Sequence, residues 1–98
     1  MAQFDVYKVA GDWLVLDCQH DIFDVLESRL TVPLERRRDG PFVNARLNPA
    51  FDIQDEEWMM LTQFAGTVSA RSLKQRVTSL AEHHLTIQSA IDMLTGGY

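Results

Sequence analysis

The apolar residues of this chain keep two different periods, and the change between them falls near Leu73. From Gln3 to Val9 the residues alternate, with Phe4 and Val6 on one face and Asp5 and Tyr7 on the other, as in a half-buried strand. Beyond Leu73 the apolar positions are Leu73, Val77, Leu80, Ile87, Ile91 and Leu94. Their spacings of three, four or seven belong to one face of a helix. A chain of 98 residues built this way is one domain, with strands first and a helix at its C-terminal end.

The punctuation between strands fills in the order. Ala10-Gly11-Asp12 turns the chain, and Trp13 to Leu16 forms a hairpin with the first strand. Gln19 to Asp24 is too polar and irregular for a ladder. Arg29 to Leu34 puts Leu30, Val32 and Leu34 on one side, with Pro33 at a strand end or edge. Glu35 to Pro41, ERRRDGP, is the most polar stretch and reads as a surface loop. Leu47 to Ile53 and Glu57 to Phe64 make a second hairpin around Gln54-Asp55-Glu56, and Thr67 to Ala70 adds a short strand. Ser79-Leu80-Ala81-Glu82 has the form of a capping box. It predicts Ser79 as N-cap of a helix from Leu80 to about Leu94, ended by a left-handed residue at Gly96 or Gly97.

Composition narrows the function. Fourteen acidic against nine basic side chains give a formal charge of −5, which opposes nonspecific binding to a polyphosphate backbone. The lone cysteine, Cys18, permits no intramolecular disulfide and no cysteine zinc site. Asp5 and Lys8 interrupt the place of a signal peptide's apolar segment, and no apolar run approaches membrane-spanning length. The expectation is a cytoplasmic, membrane-free protein without cofactor or metal.

Several clusters bear on chemistry. Asp17, His20, Asp21 and Asp24 bring together residue types used for metal or acid–base work, but their spacing fits no ligand loop, and polar residues between strands account for them as well. His83 and His84 are neighbours on a helix, so their side chains diverge by about 100° and do not share a metal. His84, on the apolar stripe, reads as a hydrogen-bonded core or interface histidine. Arg36, Arg37 and Arg38 offer charge-assisted hydrogen bonds to phosphates or an acidic partner, or stand as a solvated loop. Trp58 and Met60 share a strand face and read as core or subunit interface. No glycine-rich phosphate loop, nucleophile elbow or HExxH motif occurs. The C-terminal Gly96-Gly97-Tyr98 reads either as a cap with a folded-back ring or as a displayed aromatic contact.

Taken in order, several blocks resemble the CcdB family of plasmid and chromosomal toxins. They are Gln3-Phe4-x-Val6-Tyr7; Asp17-x-Gln19-x-Asp21-Ile22-x-Asp24; Arg29 with Val32-Pro33-Leu34; Leu47-x-Pro49; Ile53-x-Asp55-Glu56-x-Trp58 with Met60 and Thr62; and Ile87, Ala90-Ile91 and Gly97. The resemblance implies a mainly β fold: a twisted antiparallel sheet with a smaller second sheet, closed by one C-terminal α-helix in a CcdB/MazF-like barrel, and a symmetric homodimer. It also implies a mechanism without bond-making, in which the helix ends of both subunits enter the A subunit of DNA gyrase and trap the enzyme on cleaved DNA. DNA is then met only through gyrase.

The site residues follow from the same resemblance. Gly96, Gly97 and Tyr98 would face gyrase. Gly11, Arg36, Arg37 and Arg38 would meet a disordered CcdA-like antitoxin, and Trp58, Met60 and Leu94 would lie at the dimer interface. Family members carry a tryptophan just before the glycine matching Gly97, and its ring stacks on a gyrase arginine. Here that position is Gly96, and the expectation is that Tyr98 takes over part of its role. Two alternatives stay open: a CcdB-like dimer that binds only antitoxin, and a MazF-like RNA endonuclease using Arg29 with Thr31, or Arg46.

Overall fold

The computed structural model describes residues 1–37 and 44–97. Its elements are β1 (Asp5–Val9), β2 (Trp13–Asp17), β3 (Ser28–Arg36), β4 (Ala50–Ile53), β5 (Glu56–Met60), β6 (Gly66–Ser69), β7 (Gln75–Ser79) and helix α1 (His84–Gly96). The strands run antiparallel in the order β4-β5-β3-β2-β1-β7, and β6 pairs with β3 off that path. The expected class holds: a curled, mostly antiparallel β structure with one C-terminal helix. β3 organises it, because its first half, Ser28 to Thr31, pairs with β6 while Leu34 to Arg36 pair with β5. The expected smaller second sheet is not separate: all seven strands belong to one sheet, and β6 joins it as a branch on β3.

Both hairpins stand where the turn residues put them. Val9 pairs with Trp13 across Ala10–Asp12, where Gly11 has φ +81° and Asp12 φ +62°. Ile53 pairs with Glu56 across Gln54 and Asp55, at φ +51° and +66°. Two successive left-handed residues match the right-handed strand twist in both tips; the second is a two-residue loop of the primed type, and the first has one residue more. The strands flanking the second tip are shorter than the sequence predicts. Residues before Ala50 instead form a turn in which Asn44 Oδ1 accepts from the N–H groups of Arg46 and Leu47. After Met60 the chain turns through Thr62–Phe64.

The largest departure is β7. The spacing of Leu73, Val77 and Leu80 matches a helix, yet Gln75–Ser79 is a strand on the outer side of β1, pairing Asp5 with Ser79 and Lys8 with Gln75. A partner some seventy residues earlier in the chain overrides a local period read from three positions. The helix accordingly starts later than Leu80. Ser79 Oγ does cap the chain there, but it accepts from the Ala81 N–H at 3.1 Å, opening a 3-10 turn over Ala81–His83 that leads into α1. Gly97, at φ +75°, ends the helix with its N–H on Met93 O at 2.9 Å.

The core lies between α1 and one face of the sheet. Phe4, Val6, Leu14, Leu16, Val32, Leu34, Phe51, Ile53, Trp58 and Met60 pack there with Leu80, Ile87 and Ala90. Parts of the reverse face are buried too, including Tyr7, Asp17, Arg29, Thr31 and Met59. The alternation of β1 therefore marks two buried faces of different chemistry rather than a buried and a wet one.

Candidate functional site

The polar motif of the β2–β3 connection forms a structural clamp. Arg29 is fully buried and donates through Nη2 and Nε to Asp17 Oδ2 at 2.6 and 3.1 Å, and through Nη1 to Asp24 Oδ1 at 3.2 Å. Gln19 accepts from the Leu30 N–H at 3.0 Å and donates to Phe23 O at 2.8 Å, while Asp21 accepts from the Gln3 N–H at 2.7 Å. His20 Nδ1 accepts from the Ile22 N–H. Among the described residues no group of three His, Cys, Asp or Glu is placed to hold a metal. Burial first, then the carboxylates of Asp5 and Asp17, raises the Tyr7 phenol.

What the clamp presents is apolar. Ile22, Phe23, Val25 and Leu26 are 72, 54, 90 and 48% exposed. Four large apolar side chains exposed within five residues are a concentration of the kind found at interaction surfaces. Sequence reasoning missed it by weighing only the acids of this segment; Ile22-Phe23 and Val25-Leu26, flanked by polar residues in a non-strand, were the available signal.

A second feature joins residues from three strands at the hairpin tips. Arg36, expected in a loop, is the last residue of β3 and pairs with Trp58. Its guanidinium stacks 4.8 Å from the Trp58 ring centroid and donates from Nε to Glu56 Oε2 at 2.7 Å. Arg37 pairs with Glu57 at 3.1 Å, and Lys8 with Asp12 at 3.1 Å. Around Arg36 lies a groove of about 280 Å³ lined by Leu14, Ile53, Trp58 and Val77 with polar rims, continuing beside Gly11 and the exposed Trp13. Gly11 is doubly constrained there, because a Cβ would stand 3.1 Å from Trp13 Cδ1 on a left-handed backbone. The structure thus brings Gly11 and Arg36 to one groove and sets Arg37 on its flank. Arg38 lies outside the described residues.

The remaining expected residues are dispersed. Trp58 and Met60 pack inside the protomer's own core, while Leu94 is 44% exposed. Ile87 and Ala90 anchor the first half of α1, and Leu94, Thr95, Gly96 and Gly97 at its end are exposed. Tyr98 lies outside the described residues. His84 is exposed, with Nδ1 3.1 Å from Ala81 O; it is His83 that packs, its ring 5.0 Å from that of Phe51. The residues considered for RNA cleavage are engaged elsewhere: Arg29 is buried in its ion pairs, Thr31 donates to Gly66 O, and Arg46 donates to Ser89 Oγ on α1 at 2.7 Å. No helix among the described residues is long and apolar enough to cross a membrane.

The described residues thus form a curled, mostly antiparallel sheet with one C-terminal helix, and an apolar turn, a tip groove and the helix end lie at its surface. The family model described as CcdB protein matches residues 3–97, and the chain belongs to the CcdB family. That membership supports, in general terms, a toxin of a toxin–antitoxin pair of the gyrase-poison type.

Proposed function

We propose that this chain is the toxin of a type II toxin–antitoxin pair, acting in the cytoplasm as a homodimer. It binds the A subunit of DNA gyrase through the end of α1 and the tail, and holds the enzyme on cleaved DNA. The observation that carries the reading is the anchoring of α1 by Ile87 and Ala90 while its last turn, Leu94 to Gly97, stands exposed. A two-fold dimer would show that end twice to a two-fold target. Gly97 caps the helix in the left-handed region, and Gly96 adds no side chain before it, so the aromatic contact falls to Tyr98. The tip groove with Gly11, Arg36 and Arg37 is the proposed antitoxin contact, with Arg38 beside it in sequence. Of the residues expected at a dimer interface, Leu94 keeps free surface and is the proposed contact, whereas Trp58 and Met60 are used up in the core.

Glycine at position 96, where relatives carry tryptophan, favours a second reading: a CcdB-like dimer that binds antitoxin without poisoning gyrase. One experiment separates the two. Purified gyrase, ATP and supercoiled DNA are incubated with the intact protein or with Tyr98→Ala. Linear DNA that accumulates with the first and falls with the second is the expected result. No linear DNA from a sample shown to be a folded dimer rejects gyrase poisoning for the enzyme tested and leaves the antitoxin-only reading.

A further inference from the structure

β7 ends its side of the sheet, so one edge of its backbone has no strand partner among the described residues. An open edge is a template for another strand, and its side chains decide which strand is admitted. From Trp58 to Ala81 the sequence holds Arg71, Lys74 and Arg76 and no aspartate or glutamate, within a chain of formal charge −5. All three cations are exposed. Arg76 Nε reaches Asp5 Oδ1 at 3.2 Å, whereas Arg71 and Lys74 have no ion-pair partner among the described residues. Asp5, which pairs with Ser79 in the ladder, is the acid whose carboxylate meets a cation of β7 among the described residues.

The backbone adds a second selection. Val6 pairs with Thr78 and Tyr7 with Arg76, so Val77 drops out of the ladder as a bulge. A second copy docking its own β7 here would set like charges against one another across the seam. Long polyanions are disfavoured as well, since duplex DNA feels the whole molecule's negative charge. A partner no longer than a strand feels mainly the cations within a screening length of about 8 to 10 Å.

We propose that the open edge of β7, with Arg76 on the strand and Arg71 and Lys74 shortly ahead of it in sequence, docks an extended acidic segment of a partner polypeptide as an added strand. Main-chain hydrogen bonds supply the attachment, and the three cations set the sign of the side chains accepted. This surface adjoins the Arg36 groove through Val77 but not the end of α1, so the proposal stands or falls apart from gyrase poisoning.

The test uses the full chain, ¹⁵N-labelled, titrated with capped strand-length peptides of alternating Glu–Thr or alternating Lys–Thr sequence. The Glu–Thr peptide should shift the amide signals of Gln75 to Ser79 saturably, and the Lys–Thr peptide should not. Arg71→Glu with Lys74→Glu should weaken Glu–Thr binding by about tenfold or more at unchanged circular dichroism. Should that double variant misfold, Lys74→Gln is the milder substitute, with a smaller loss expected. Equal responses to both peptides, no saturable response, or shifts confined to another surface would overturn the proposal. A short DNA duplex shifting the same amides at lower concentration than the peptide would overturn the choice of partner.

Discussion

Replacing Arg29 by methionine removes the guanidinium and keeps most of the side chain's volume. It leaves Asp17, itself fully buried, facing an apolar group where two donated hydrogen bonds had been. Breaking one side of such a buried pair costs about 3 to 5 kcal/mol, chiefly because the remaining charge is uncompensated. The contact with Asp24 adds little, since that carboxylate is 51% exposed and water can replace the guanidinium. A domain of this size has about 5 to 15 kcal/mol in total, so the variant stands near its unfolding threshold. Asp17→Asn added to Arg29→Met removes the stranded charge, and the double variant should be more stable than the summed single losses imply by about 2 kcal/mol. Urea unfolding of the four proteins, followed by circular dichroism at one protein concentration, measures the cycle. A loss below about 1 kcal/mol for Arg29→Met, as for an exposed pair, or simple additivity, would refute the reasoning. Arg29 also holds, through Asp24, the segment that exposes Ile22 and Phe23.

Three further outcomes follow from single features. Gly11→Ala forces a side chain onto φ +81° and against Trp13; it should cost about 1 to 2 kcal/mol and shift the tryptophan emission, whereas unchanged stability would remove the steric argument. Gln54→Asn with Asp55→Gly supplies residues suited to φ +51° and +66° and should gain about 1 kcal/mol in urea unfolding; a loss would mean that the native side chains contribute more than their backbone strain costs. Burial, helped by the Asp17 carboxylate, pushes the Cys18 thiol up to about 12 from an ordinary 9.0. A raised folded pKa makes its contribution complete below pH 9 and progressively lost as pH climbs toward 12. Stability should fall over that window, and Cys18→Ala should flatten the fall; parallel curves for the two proteins would contradict this.

Where the sequence was legible, short-range physics was in charge. The tip at Gly11 shows in Ala-Gly-Asp, because turns are chosen by residues that tolerate left-handed backbone within a few positions. The first hairpin, the short strand after Ala65 and the glycine that ends α1 were read the same way. β7 was not legible: Gln75 to Ser79 acquires strand character by pairing with β1, and nothing in its neighbourhood announces that partner. Arg36 was misplaced for a related reason. Its polar surroundings look like a loop until Trp58 arrives from β5 and gives the guanidinium a face to stack on.

The candidate site divides along the same line. Exposure of Leu94 to Gly97 depends on how far α1 outruns its anchors at Ile87 and Ala90, and the groove exists only because two hairpin tips distant in sequence come side by side. The blocks that identify the family are distributed through the chain, and many serve the core and the Arg29 clamp, which is why one-dimensional order was enough to recognise them. Sequence by itself therefore determined the class of fold, its turns and its family, since each is written in local period, turn chemistry or the order of blocks. Only the tertiary structure decided that Arg29 is a buried strut, that Ile22 and Phe23 face solvent, and that β7 leaves an open basic edge. Burial and strand pairing are relations between residues far apart in the chain, and a neighbour-by-neighbour reading holds no term for them.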